Sequence, residues 1–110
     1  MRTLLKVTIP VERGNAAAEN GSLPKTIESI LNDLKPESAY FATIDGKRSG
    51  LIVFDLKDTS QIPAVAEPWF IAFNAQVEIQ PVMNLEDLKK ALSGIETTIR
   101  KYRPVVSRAA

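Results

Sequence analysis

The sequence predicts one α+β domain with the ferredoxin-like order β-α-β-β-α-β, followed by an extra C-terminal helix. Three observations favour this fold class. The chain has 110 residues, which is enough for one hydrophobic core. Four segments have the alternation or the β-branched and aromatic content of strands, and the segments between them repeat apolar residues at helical spacing. Right-handed crossovers arrange this order as a four-stranded antiparallel sheet, order 4-1-3-2, with helices on one face.

The four predicted strands differ in their burial pattern. The first and the fourth alternate apolar with polar residues, which is typical of strands with one buried face. The third carries an apolar run from Leu51 to Phe54, as a strand buried on both faces does. Asp45-Gly46, a favoured two-residue hairpin, joins the second strand to the third. The predicted strands are Leu4 to Ile9, Glu37 to Ile44, Arg48 to Leu56 and Gln76 to Val82.

Capping residues and prolines mark the predicted helices. Asn15 is expected to cap a short helical turn, and a longer helix begins at Ser22 and ends before Pro36. A second long helix follows the third strand and carries Trp69 on its apolar face. Asn84 is expected to cap the last helix. Its apolar stripe consists of Leu85, Leu88, Leu92, Ile95, Ile99 and Tyr102.

Composition excludes several classes of function. Fourteen basic against thirteen acidic residues leave a net charge of +1, so we expect no nucleic-acid partner. The chain has no cysteine and no histidine, which excludes disulfides, thiolate nucleophiles and imidazole chemistry. We expect no metal, no cofactor and no membrane partner, and a cytoplasmic location. Residues 1–102 are expected to form the domain, and residues 103–110 a flexible basic tail.

The sheet face that the helices leave uncovered is the predicted location of a site. Strand parity places Lys6 on this face and Glu78 beside it on the adjacent strand. Asp55 is expected to complete a cluster in which two carboxylates hold a lysine that binds an anionic ligand. A structural ion-pair network is the more common explanation of such a cluster. Phe41 is expected on the same face, and the single tryptophan, Trp69, is interpreted as core, with a ligand platform as the alternative.

Two stretches resemble a small bacterial family of the dimeric α+β barrel superfamily that has no assigned function. They are Gly21-Ser22-Leu23-Pro24-Lys25-Thr26-Ile27 and Ala66-Glu67-Pro68-Trp69-Phe70, and the resemblance extends over most of residues 1–102. It implies a homodimer in which the sheets of two protomers pair into a barrel. It implies no particular chemistry, because this superfamily includes isomerases, cofactor-free monooxygenases and haem-degrading enzymes.

We therefore expect a homodimer that binds a small ligand in or near the cavity between the paired sheets. The alternative is a cofactor-independent monooxygenase or isomerase that acts on a small aromatic or enolisable metabolite. A dry pocket suits such chemistry because the substrate itself activates oxygen.

Overall fold

The computed structural model describes residues 1–104, and within them it contains one four-stranded sheet and four α-helices. All neighbouring strands are antiparallel in the order β2-β3-β1-β4, which confirms the predicted fold class and strand order. The elements are β1 (Arg2–Ile9), α1 (Val11–Glu19), α2 (Ser22–Leu34), β2 (Ser38–Ile44), β3 (Lys47–Asp55), a 3-10 turn (Thr59–Gln61), α3 (Ile62–Phe73), β4 (Gln76–Pro81) and α4 (Leu85–Tyr102).

The hydrophobic core lies between one face of the sheet and the helices α1, α2 and α3. Alternation along β1 buries Leu5, Val7 and Ile9, as predicted, and leaves the residues between them half-buried. Trp69 and Phe73 of α3 are each 1% exposed and pack against this face. The opposite face, which we call the open face, carries Leu4, Lys6, Leu51, Val53 and Glu78.

Phe41 lies on the helix-covered face of the sheet and not on the open face, where the sequence placed it. The turn at Asp45-Gly46 has φ angles of 53° and 74° and fixes a register in which Phe41 pairs with Gly50. Gly50 pairs with the core residue Val7, so all three share the face that the helices cover. The prediction for Phe41 is wrong because a one-residue change of register exchanges the two faces of a strand.

α1 is longer than the predicted turn, and Asn15 does not cap it. The helix begins at Val11, directly after Pro10, and Asn15 lies inside it. The side chain of Asn15 instead accepts a hydrogen bond from Arg48 Nη1 at 3.1 Å. A Cβ at Gly14 would lie 2.7 Å from the same Nη1 atom, so the glycine makes room for the guanidinium. Asn15 and Gly14 of α1 thus position the guanidinium of Arg48, which belongs to β3.

α4 begins as predicted and then projects from the domain. The Asn84 side chain accepts a hydrogen bond from the backbone N–H of Asp87, whose carboxylate accepts one from the backbone N–H of Asn84. The radius of gyration is 19.7 Å and the longest extent is 72 Å. A compact domain of this length has a radius of gyration of about 13 Å. No helix within residues 1–104 is both long and apolar enough to cross a membrane. Most of the predicted basic tail lies outside the described residues.

Candidate functional site

The five residues that the sequence singled out lie in three separate places. Lys6 and Glu78 border a polar depression on the open face. Phe41 and Trp69 line a cavity on the opposite side of the sheet, beneath α2. Asp55 lies at the end of β3, where it borders a groove between α2 and α3. The predicted site residues therefore belong to three different surfaces.

Lys6 and Glu78 form the contact that strand parity predicted. They are direct cross-strand partners on β1 and β4, and Lys6 Nζ lies 3.7 Å from Glu78 Oε2. The depression beside them has a volume of about 310 Å³. Because the Glu78 side chain is 69% exposed, water screens this ion pair, which then contributes little to stability. A ligand-binding role for the two residues stays a prediction.

Asp55 does not join that pair. It lies opposite Arg2 on β1, four residues before Lys6, which is about 13 Å along an extended strand. Its carboxylate binds Lys57 Nζ at 2.8 Å and the ammonium group of Met1 at 2.5 Å. The hydrogen bonds from Lys57 and then from the N-terminus lower the pKa of Asp55 to about 2. The predicted convergence with Lys6 is wrong because residues on one face of a strand can still be several rungs apart.

The cavity beneath α2, which we call the Trp69 cavity, has a volume of about 330 Å³. Its walls are mainly apolar and come from Val7 and Ile9 of β1, Leu23 and Ile27 of α2, Phe41 of β2 and Trp69 of α3. Gly50 allows the Phe41 ring to lie across the sheet, since a Cβ at this position would lie 3.3 Å from Phe41 Cε1. Phe41 is 52% exposed, so the cavity reaches the surface along the edge strand β2.

Trp69 brings an unsatisfied hydrogen-bond donor to this region. The residue is 1% exposed, and its Nε1 atom has no hydrogen-bond partner among the described residues. Nearly all buried polar side-chain atoms have a partner, and an unpaired buried N–H costs about 1–3 kcal/mol. The indole packs against the Phe73 ring, with the centroids 6.1 Å apart. The tryptophan is therefore a core residue, as interpreted from the sequence, and it is also part of a cavity wall.

Arg48 adds a positive charge to the same cavity. The residue is half-buried, and its guanidinium donates to the neutral side chain of Asn15. Within residues 1–104, no carboxylate lies within ion-pair distance of this guanidinium. The lining of the cavity thus includes apolar side chains, a tryptophan whose buried N–H has no acceptor among the described residues, and one cation without a counter-ion. That combination suits a ligand with an apolar body and an anionic group.

The groove between α2 and α3 is larger, about 500 Å³, but three of its polar lining residues, Asp55, Lys57 and Gln61, already have partners. Lys57 binds the carboxylate of Asp55. The Gln61 side chain accepts hydrogen bonds from the backbone N–H groups of Lys57 and Asp58. No cluster of metal-ligating side chains occurs in the part of the chain that the structure describes. The Trp69 cavity is therefore the stronger candidate site.

A protein-family model matches most of the chain, including most of the residues that line this cavity. The family model for a domain of unknown function (DUF3303) matches residues 8–96. The chain belongs to the DUF3303 family. The match includes Phe41, Arg48 and Trp69, whereas Lys6 lies before its first residue. A comparison with curated proteins found no match. The family description names no reaction or ligand, so a role for this DUF3303 chain has to be inferred from its geometry.

Arg48 was not singled out from the sequence, because charged residues are common beside hairpin turns. The alternation of residues along β3 could have identified Arg48 as a site residue. Arg48 precedes Gly50 by two residues and pairs with Ile9, which places an arginine on the face of the sheet that the helices cover. A cation on that face needs a partner or a ligand, since burying an unpaired charge is costly.

Proposed function

We propose that this DUF3303 protein binds a small organic carboxylate in the Trp69 cavity. The observation that carries the proposal is the buried Nε1 atom of Trp69, which has no acceptor among the described residues and belongs to a residue that lines the cavity. A volume of about 330 Å³ lies at the lower end of the range for small-molecule sites. A single-ring or short-chain acid is the ligand of this size and chemistry.

The cavity gives each part of such a ligand a place. The Arg48 guanidinium presents a fork of donors that matches a carboxylate. The apolar body of the ligand would lie against Leu23, Ile27 and Phe41, which the cavity lining includes. The Trp69 N–H would donate to an acceptor atom of the ligand, which removes the cost of an unpaired buried donor.

We favour binding over reaction because of the side chains that line this cavity. Arg48 is its one titratable lining residue among those that the structure describes, and an arginine stays charged and cannot act as a general base. The Ser49 hydroxyl donates to the Lys47 carbonyl at 3.2 Å and has no adjacent base in this lining. A monooxygenase or isomerase would need the substrate to supply its own reactive group.

Fluorescence of the single tryptophan tests the proposal. We expect phenylacetate to change the Trp69 emission in a saturable way, and phenylacetamide, its neutral analogue, to bind more weakly. Arg48→Gln removes a charge-assisted hydrogen bond worth about 1.5–3 kcal/mol, which weakens phenylacetate binding about ten- to a hundredfold. Lys25→Met, which removes an exposed positive charge of α2 outside the lining, is the matched control.

Two results would contradict the proposal. One is the absence of any saturable response to phenylacetate, with calorimetry as a second readout. The other is equal weakening by Arg48→Gln and Lys25→Met, which would indicate general electrostatic attraction rather than a site at Arg48.

We further propose that the protein acts in the cytoplasm as a homodimer with its open faces apposed, as the barrel resemblance implies. Leu4, Leu51 and Val53 are only half-buried on this face, and Tyr40 is 67% exposed. The Lys6→Met variant distinguishes the two candidate ligand sites. Loss of phenylacetate binding in this variant would move the site to the space between the sheets.

A further inference from the structure

α4 carries a narrow apolar seam that nothing in the described chain covers. Its six large apolar residues are spaced by three, four, three, four and three positions, which is the spacing of alternating a and d positions in a heptad repeat. Each of them is between 43% and 69% exposed. The seam consists of Leu85, Leu88, Leu92, Ile95, Ile99 and Tyr102.

The width of the seam indicates what packs against it. The flanking e and g positions are Lys89, Ala91, Glu96 and Thr98, so large apolar residues occupy only two positions in seven. A helix that packs on a sheet or a globular core has a wider apolar face, whereas this narrow stripe is typical of a helix–helix seam. Most of the stability of a helix in a protein comes from the packing of its apolar face, so α4 needs a partner for this seam.

We propose that α4 pairs with α4 of a second copy of this chain, antiparallel about a two-fold axis. In this arrangement Leu92 packs against the partner's Ile95, and by symmetry Ile95 packs against the partner's Leu92. Leu88 then meets the partner's Ile99 in the next layer. Every apolar residue of the seam finds an apolar residue opposite, which the two-fold symmetry of homodimers requires.

Charge selects the antiparallel direction. Antiparallel coiled helices bring e positions together, so Lys89 lies beside the partner's Glu96, offset by about 3 Å along the axis. The two-fold axis repeats this ion pair, so the dimer contains two of them. A parallel pairing would instead place Ala91 beside the partner's Glu96, with no opposite charge. Lys89 is free to exchange partners, since its contact with Glu86 at 3.8 Å is solvent-exposed.

The size of the seam predicts a weak dimer. α4 has 18 residues and is therefore about 27 Å long. A single helix of that length and about 10 Å width covers less than the roughly 800 Å² per partner of stable interfaces. We expect association that depends on concentration in the micromolar range. This pairing is independent of the proposed ligand site, because no residue of the seam lines the Trp69 cavity.

Disulfide trapping tests whether the two α4 helices are antiparallel. The chain has no native cysteine, so only the introduced cysteines can cross-link. Leu92→Cys and Ile95→Cys are prepared separately in the full chain and oxidised alone and mixed. Antiparallel pairing predicts that the mixture forms a mixed disulfide, whereas each variant alone does not cross-link, because a disulfide needs Cα atoms about 5.5–6 Å apart. Efficient cross-linking of each variant with itself, or no cross-link in the mixture, overturns the proposal.

Charge reversal gives a second test that leaves the apolar seam intact. Sedimentation equilibrium should show an association step through α4, separate from the proposed pairing of the open faces, that Lys89→Glu weakens about tenfold, since two pairs become repulsive at once. The double variant Lys89→Glu with Glu96→Lys should restore it. Lys90→Glu changes the same charge on the outer side of α4 and is the control. A monomeric wild type, or equal effects of Lys89→Glu and Lys90→Glu, contradicts the pairing.

Discussion

Replacing Trp69 by phenylalanine should cost far less stability than the burial of this side chain suggests. Truncating a buried tryptophan to alanine costs about 3–5 kcal/mol. Phenylalanine keeps most of the apolar contact, and a residual cavity of about 40 Å³ costs about 1 kcal/mol. The substitution also removes the N–H of Trp69, which has no acceptor in the described chain and costs about 1–3 kcal/mol when it is buried. The cost of about 1 kcal/mol and the relief of about 1–3 kcal/mol oppose each other, so the variant should range from as stable as the wild type to about 2 kcal/mol more stable.

Urea unfolding followed by circular dichroism measures this change, since the variant has lost the fluorophore. Phe73→Leu is the matched control, because Phe73 is equally buried, 1% exposed, and has no polar atom to relieve. This control should lose about 1 kcal/mol. A loss of 3 kcal/mol or more in Trp69→Phe would refute the reasoning, because it would mean that Nε1 has a hydrogen-bond partner in the ligand-free protein.

Urea unfolding in the presence of phenylacetate tests whether the indole N–H takes part in ligand binding. A ligand present at about 100 times its Kd stabilises the protein that binds it by about 2.7 kcal/mol. We expect phenylacetate to stabilise the wild type and to stabilise Trp69→Phe less, because the variant cannot donate to the ligand. Equal stabilisation of both would show that the indole N–H takes no part in binding.

Two further predictions concern the floor of the cavity and the end of β3. Gly50→Ala should cost less than about 1 kcal/mol of stability, because the half-exposed Phe41 ring can move by the few tenths of an ångström required. The same substitution should weaken phenylacetate binding measurably, because the Phe41 ring is part of the cavity wall. Unchanged binding would place the ligand elsewhere. Because its pKa is lowered to about 2 in the folded state, Asp55 contributes stability that is complete above its ordinary pKa near 4 and lost as pH falls through 2. The urea midpoint of the wild type should therefore fall more between about pH 5 and about pH 2 than that of Asp55→Asn, and parallel curves would contradict this.

The fold was predictable because local signals agreed with one another. Alternation along β1 identified the buried face, Asp45-Gly46 identified the hairpin, and Asn84 identified the start of α4. Each of these signals acts within a few residues of chain, where sterics and hydrogen bonding dominate the conformation. Leu34, the last residue of α2, was also correctly expected, since the residue before Pro36 leaves the helical region and Lys35 has φ 52°.

The candidate site was predictable only in part, because it depends on register between distant strands. Trp69 was assigned to the core correctly, but the pairing of Phe41 with Gly50 follows from the exact length of the hairpin turn. Asp55 was placed beside Lys6 because the two share a face, although they lie on different rungs. Parity along one strand specifies the face of a residue, whereas its neighbours depend on every strand between them.

The direct test of the central claim is the indole N–H signal of the single tryptophan in a proton–nitrogen correlation spectrum. In the ligand-free protein we expect this signal to resonate as an N–H without a hydrogen bond. Phenylacetate should move it downfield in a saturable way, because Nε1 of Trp69 gains an acceptor, and Arg48→Gln should shift the titration to higher ligand concentration. A signal that stays in place while phenylacetate binds elsewhere, or that already resonates downfield without ligand, would contradict the account.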